Sequence, residues 1–388
     1  MVRITLIHYS YPPVIGGVET ILAEHARLFS AEGHQVTVLC GNEARETGAI
    51  CVRSLPEIAD RETPAARVVA GVAPLLKREE VVFMHNVMTM HFHPGLTAAL
   101  WQLASSLPAV RFVSWIHDLA AGNPDYPLPP LTEAPWSFLA AAHDQMEYVA
   151  VSDHRARQFK KLTGRVARVI PNGVDPARFL GLSPSVARLV KEHAIFERDW
   201  ILLHPARFLR RKNVELGLRV TAALRALPRQ AVYLLTGAHD AQQAGDSTYR
   251  AELRALRREL GLEEEVLFLN NLFAVTTPDL ISLFSVADAL FFPSRQEGFG
   301  LPILEAALHR LPVFCSSLEP MNALVHHGLT TFAPESSPAA IAATIAGHLD
   351  ASPATRARKE VVRRYCWETI HRDFLQPLLA SAQTHSPP

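Results

Sequence analysis

Cysteine is scarce in this chain. Its 388 residues hold four, Cys40, Cys51, Cys315 and Cys366, and no spacing among them suits a disulfide framework or a zinc site. Such usage fits a reducing compartment, so a cytoplasmic location is expected. Neither sign of charge is in excess: Lys+Arg and Asp+Glu both number 38, which removes a global electrostatic case for nucleic acid. Long apolar runs are missing too. The nearest, Val81 to Val110, carries no Asp, Glu, Lys or Arg but is interrupted by His85, Asn86, His91, His93, Pro94, Gln102 and Pro108. It reads as a buried strand, loop and helix rather than a membrane span. The apolar part of Met1–Tyr9 is too short for a signal peptide. The chain has no GxGxxG, which disfavours a nicotinamide enzyme. It also has no Asp-x-Asp, and no carboxylate or cysteine stands at metal-site spacing around His85, His91 and His93. No metal site is expected, and those histidines read as pocket lining or core.

Apolar segments are plentiful. Hydrophobic residues make up 48% of the chain, enough for two cores of roughly 190 residues each. Strand and helix patterns alternate throughout, which argues for an α/β protein with parallel, doubly wound sheets. In the first half, strands are expected at Arg3–His8, Gln35–Leu39, Val81–His85, Arg111–His117, Tyr148–Ser152 and Arg165–Ile170, with a helix at Gly17–Ala31. Asp153 is expected to cap a basic helix carrying Arg155, Arg157, Lys160 and Lys161. The stretch Asn123–Pro135 holds five prolines and reads as a loop. The pattern restarts at Trp200–His204, with a helix at Asn213–Leu227 and strands at Val232–Thr236, Val266–Leu269, Ala289–Phe292 and Val313–Cys315. The expected division is residues 1–180, a linker at 181–198, a second domain at 199–365, and a closing helical segment at 366–388. The tail Ser381–Pro388 reads as disordered.

Three loops carry chemistry. In Glu297-Gly-Phe-Gly-Leu-Pro-Ile-Leu-Glu305, a buried strand feeds a glycine-rich loop, and Pro302 suits the first turn of the helix behind it. The N–H groups of Gly298, Phe299, Gly300 and Leu301 can converge on an anion there. Glu297 and Glu305 flank that point and can accept hydrogen bonds from hydroxyl groups. A phosphate site between two hydroxyl acceptors suits a nucleotide-diphosphate sugar. The second loop, Arg207-Phe-Leu-Arg-Arg-Lys212, follows a parallel strand at the edge where ligands bind. Arg207 and Lys212 can neutralise a diphosphate as charge develops on it; alone, the loop reads sooner as a solvated basic turn, and its place at that strand edge is what favours the ligand. The third, Tyr11–Glu19, places Gly16 and Gly17 between a strand and a helix, where the backbone can approach a ligand or simply turn tightly. His117-Asp118 ends another buried strand.

Taken together, YPPVIGGVE (Tyr11–Glu19), IPNGVDPARF (Ile170–Phe179), the Arg207/Lys212 loop, EGFGLPILEA (Glu297–Ala306) and CWETI (Cys366–Ile370) resemble glycosyltransferase family 4, retaining enzymes of GT-B architecture. The resemblance runs nearly the full length, and Glu-x7-Glu is its most specific part. It implies two Rossmann-like, doubly wound domains facing across a cleft, with a C-terminal helix crossing back to the first. It further implies that the second domain binds the nucleotide sugar. Arg207 and Lys212 would hold the diphosphate, Glu305 the ribose and Glu297 the donor sugar. Gly298–Leu301 would supply backbone donors, Gly16 and Gly17 would approach the phosphate, and His117 would line the sugar. Asn86, Asp118, Arg155 and Asn172 are the acceptor-side candidates. No divalent metal or other cofactor is implied, and the partners are a UDP- or GDP-linked glucose or mannose and a small hydrophilic acceptor. HYSYPPVIGGVE and NVMTMHF are further similar to segments of enzymes building mannosylglucosylglycerate, so an anionic glycerate-type acceptor belongs among the candidates. A lipid acceptor at a membrane surface and a non-catalytic nucleotide-sugar binder are the alternatives. Where the family often has glycine after the strand at Val266–Leu269, this chain has Asn270-Asn271, in a loop implied to contact the base.

Overall fold

Two parallel sheets organise the computed structural model of this chain, which describes residues 1–43, 48–237, 247–333 and 335–380. The first has seven strands in the order β3-β2-β1-β4-β5-β6-β7. They are β1 (Arg3–Ile7), β2 (Gln35–Cys40), β3 (Ile50–Ser54), β4 (Val81–His85), β5 (Arg111–Ile116), β6 (Met146–Ala150) and β7 (Arg168–Val169). The second has six, ordered β10-β9-β8-β11-β12-β13. They are β8 (Trp200–His204), β9 (Ala231–Leu235), β10 (Val266–Phe268), β11 (Ala289–Phe292), β12 (Val313–Ser316) and β13 (Leu329–Phe332). All the pairings are parallel, so helical crossovers cover both faces and the central strands must be apolar on both sides. Every residue of β4, β8, β9 and β11 is buried accordingly.

Each sheet has one point where the strand order reverses, between β1 and β4 in the first and between β8 and β11 in the second. In open α/β sheets the loops leaving the strands on either side of that point diverge and leave a crevice for ligands. The helices that matter here are α1 (Gly17–Ala31), α2 (Ala65–Leu76), α3 (Pro94–Ser106), α4 (Asp153–Thr163), α5 (Pro184–Glu192), α6 (Val214–Arg225), α7 (Leu301–Leu308) and α8 (Pro353–Tyr365).

The chain divides into two compact units, Met1–Gly173 with Trp367–Pro388, and Val174–Cys366. After α8, Cys366 takes an extended conformation that breaks the helical run near Tyr365–Trp367. Trp367, Ile370, Leu375, Leu378 and Leu379 then join the core of the first unit beside Phe29, Phe83 and Trp115. Gly173 is required at the crossing point, since a Cβ there would lie 2.5 Å from ring atoms of Trp367.

Residues 181–198, expected as a linker, are part of the second unit. They form α5, whose Val186, Leu189 and Val190 pack into the core with Leu203, Leu283 and Phe284. Pro184 at the first helical turn, capped by Ser183, starts that helix. The basic helix α4 is capped by Ser152, whose side chain accepts from the Arg155 N–H, and Asp153 is its first helical residue rather than its cap. The short edge strands β3 and β13 escape the sequence pattern because both are only partly buried and lack an apolar run. Ser381–Pro388 lies outside the described residues. Among the described residues, no helix is long and apolar enough to cross a membrane.

Candidate active site

In the second unit the site is built from the two loops beside the strand reversal. After β8, residues 205–213 carry Arg207, which is exposed, and Lys212, which turns toward the loop after β11. There the Lys212 ammonium donates to Glu297 Oε1. The ammonium also stands 5.0 Å from the centre of the Phe292 ring, over its face. The same Glu297 oxygen accepts from Ser294 Oγ at 2.6 Å, and Oε2 lies 3.7 Å from Arg211 Nη1. With side-chain exposures of 12% for Lys212 and 7% for Glu297, this is a largely buried ion pair at the margin of the core. Burial pulls the Lys212 pKa below its ordinary value, opposed by the Glu297 carboxylate. Beneath it, burial holds the His204 imidazole down at about 3, aided by the Lys212 charge, while its Nδ1 lies 2.5 Å from the Tyr233 hydroxyl.

The glycine loop then meets α7. Gly300 is its N-cap in the left-handed region, at φ 100°, and the Ile303 N–H closes back on the Gly300 carbonyl at 2.9 Å. Among the described residues the N–H groups of Gly298, Phe299, Gly300 and Leu301 donate to no backbone carbonyl. They form an unsatisfied fan at the positive end of a helix, the arrangement that receives a phosphate. Pro302, near the helix start, needs no partner. Glu305 is partly buried on α7; burial raises its carboxyl pKa, with His309 opposing. Arg207, Lys212, Glu297 and the N–H fan therefore share one edge of one sheet, and Lys212 and Glu297 touch.

The first unit has its own cluster at its own strand reversal. His8, just past β1, lies with Nδ1 2.7 Å from the carbonyl of His85 at the end of β4. A carbonyl only accepts, so Nδ1 donates, which leaves Nε2 facing Glu19 Oε1 at 3.8 Å. The His8 imidazole and the Ser10 hydroxyl hold the Glu19 carboxyl down at about 2. That carboxylate occupies the space over Gly16, where a Cβ would collide with it. The positive end of α1, expected to meet a phosphate through Gly16 and Gly17, thus already faces a carboxylate, and an approaching anion meets that charge first.

Asn86 organises the end of β5. It sits in the left-handed region at φ 53°, and its Oδ1 accepts from the N–H groups of His117 at 3.2 Å and Asp118 at 2.8 Å. The His117 ring reaches His85 Nδ1 at 3.3 Å, and burial holds its pKa down at about 3. Asp118 pairs with Arg155 at 2.9 Å, so that arginine is drawn out of the basic face of α4. Asn86, His117, Asp118 and Arg155 are brought together. Asn172 is not among them: it precedes the Gly173 turn against Trp367, and its Oδ1 is buried without a partner. Its place is in the turn at the chain crossing, where packing on Trp367 explains the glycine of the IPNG motif.

The family model described as Glycosyltransferase Family 4 matches residues 15–178, and that described as Glycosyl transferases group 1 matches 186–363. The chain belongs to the group 1, family 4 glycosyltransferases. Its two Rossmann-like parallel sheets are the α/β pair of the GT-B class. Among curated relatives of this glycosyltransferase, the glycogen synthase of Mycobacterium tuberculosis is 25% identical over 432 residues, covering 100% of this chain and 96% of that one. The D-inositol 3-phosphate glycosyltransferase of Mycolicibacterium vanbaalenii is 27% identical over 318 residues, covering 78% and 68%. Among solved structures, Anabaena HepE in complex with UDP and glucose is 21% identical, covers 98% of this chain and 100% of its own, and has a TM-score of 0.41.

Sequence reasoning missed the residues that hold the site together. Ser294 and Arg211 support Glu297 and His204 lies within the field of the Lys212 charge, while His8, Glu19 and His85 support the first-unit cluster. Ser294 was findable, standing three residues before Glu297 at the end of a buried strand. His204 ends β8 and His8 follows β1, the same strand-end position at which His85 and His117 stand.

Proposed function

We propose that this glycosyltransferase moves a hexose from a nucleotide-diphosphate sugar to a hydrophilic hydroxyl acceptor, with retention at the anomeric carbon and without a divalent metal. The observation that carries this reading is the second unit's strand reversal, where a cationic loop and four unsatisfied N–H groups share one edge. Arg207 and Lys212 provide charge for a diphosphate, Gly298–Leu301 bind its oxygens, and Glu305 accepts from ribose hydroxyls. The anomeric C–O bond breaks with its electron pair leaving on the diphosphate. The acceptor oxygen bonds to the same face, and its proton passes to the departing phosphate oxygen. Cations placed at that oxygen act most strongly as its charge peaks.

The Lys212–Glu297 pair gives Glu297 two roles in this scheme. It holds Lys212 in place before the donor arrives, and its second oxygen can take hydroxyls of the donor sugar. The first unit serves the acceptor, with Asn86 fixing the His117–Asp118 turn and Asp118 and Arg155 offering a neutral polar pair. Nucleotide base and sugar are read out by incubating UDP- and GDP-linked glucose and mannose with hydroxyl acceptors in excess EDTA. Retained product configuration by proton NMR supports the scheme. An inverted product refutes retention, and activity that disappears in EDTA and returns with Mg²⁺ or Mn²⁺ refutes metal independence.

A further inference from the structure

A cavity of about 640 Å³ lies in the first unit, lined by residues from three segments. These are the loop at residues 61–65 before α2, the first two turns of α3, and the segment 134–138. They follow β3, β4 and β5 respectively. Its volume is in the range of sites for small molecules.

The wall is aromatic and held from behind. Trp101 on α3 stacks on Phe138, with ring centres 4.5 Å apart and planes at 14°, and meets His143 edge-on at 5.0 Å. His143 is anchored in turn, its Nε2 2.8 Å from Ser105 Oγ. Trp136 lines the same cavity, is partly exposed and, among the described residues, pairs with no other ring. The opposite side is equally set. His93 caps α3 by accepting from the Leu96 N–H at 3.0 Å and reaches the Glu57 carbonyl at 2.9 Å with its other nitrogen. Gly95 lets the Thr63 carbonyl lie where a Cβ would be. The rim is polar: Arg61, placed 5.7 Å from the Phe92 ring centre, together with Glu62 and Gln102, all exposed.

These features select one chemistry. A flat indole meets the apolar C–H face of a pyranose, while an amide, a carboxylate and a guanidinium bond its hydroxyls. An acyl chain gains nothing from a charged rim around an open cavity. A phosphorylated ligand needs surplus cations, and here Arg61 is matched by Glu62. We propose that this cavity is a subsite for a neutral hexose unit of the acceptor, remote from the hydroxyl that reacts. The acceptor is then an oligosaccharide or glycoside rather than a single polyol. The proposal rests on reading the first unit as the acceptor side.

Saturation-transfer NMR on the full chain without donor tests it, using neutral gluco-, manno- and galacto-oligosaccharides of two to four units. Saturable binding by at least one series is expected, weakened about tenfold in Trp136→Ala and partly regained in Trp136→Phe. Thermal melting of both variants serves as the folding control, and Gln102→Ala, a rim change beside Trp101 that leaves the stacked pair itself in place, is expected to weaken the same sugar. Failure of every series to bind overturns the proposal, as does binding that neither variant alters. Saturable binding of a nonionic dodecyl ether, with none of any sugar, overturns it in favour of a lipid site. Donor turnover is measured in parallel. Turnover without oligosaccharide binding removes this subsite and leaves the transferase reading, while Trp136-dependent binding without turnover on any donor does the reverse.

Discussion

At the scale of single residues, the pairing of Lys212 with Glu297 separates what holds the site from what performs chemistry. Removing one member leaves the other charge part-buried and without that partner, at a cost below the roughly 3–5 kcal/mol of a fully buried pair. Glu297→Ala is therefore expected to lower the denaturation midpoint clearly. Replacing both, as Lys212→Met with Glu297→Leu, is expected to recover most of that loss, since an apolar pair of similar volume needs no partner. The double variant should nonetheless turn over no donor. If it melts no higher than Glu297→Ala, the pair is not the reason for the loss. Arg207→Ala is exposed and should leave stability alone, while lowering kcat by about 10²–10³ with little change in donor KM. A variant whose only defect is a raised KM would make Arg207 a binding residue.

At the scale of elements, the glycine loop before α7 offers two substitutions with opposite expectations. A Cβ on Gly298 meets nothing within 4 Å, so Gly298→Ala should fold as well as the parent. The same methyl stands beside the Gly298 N–H and would crowd a phosphate arriving there, and affinity for free UDP or GDP is expected to fall about tenfold or more by calorimetry. Gly300 has φ 100° and a Cβ there would lie 3.1 Å from Leu324, so Gly300→Ala should cost stability, by about 1–2 kcal/mol. Unchanged nucleotide affinity in Gly298→Ala would remove the phosphate from this loop.

The same elements show what the sequence could reveal. The central strands were legible because parallel strands covered on both faces must be continuously apolar, as in β4, β8 and β11. The glycine loop was legible as the turn between a buried strand and a helix because Gly300 and Pro302 stand where such a turn needs them. The edge strands β3 and β13 were not, since their pairing is decided by neighbours in the sheet rather than by their own pattern. Nor was α5, whose short apolar face acquires meaning only when packed on Leu203 and Leu283. The buried pair of Lys212 with Glu297 joins residues 85 positions apart, and spacing cannot announce such a contact.

At the scale of the whole molecule, the two units differ in how they hold histidine, and acid should tell them apart. In the first unit burial depresses His25 and His117 to about 3 and His85 well below its ordinary value, and lowers His143 as well. In the second unit His204 alone is so depressed among the described residues. An imidazole that is neutral when folded but protonates near 6.5 when unfolded contributes stability that is complete above about pH 6.5 and is lost as the pH falls toward 3. Each fully buried one removes up to about 1.4 kcal/mol per pH unit in that window. The depressed carboxylates are shared out more evenly, with Glu19, Glu32 and Asp373 in the first unit and Asp199 and Asp279 in the second. They act mainly below about pH 4.5, so between there and 6.5 the histidines decide. Hydrogen exchange through global opening, corrected for intrinsic rate, is therefore expected to accelerate more steeply with acid for β4 than for β11. His25 is packed among Phe29, His85, Trp115 and Trp367, so His25→Phe keeps an aromatic ring there and removes one titrating group. That variant should flatten the response of β4 and leave that of β11 unchanged. Equal slopes for the two strands, or a β4 slope indifferent to His25→Phe, would refute this account of their acid sensitivity.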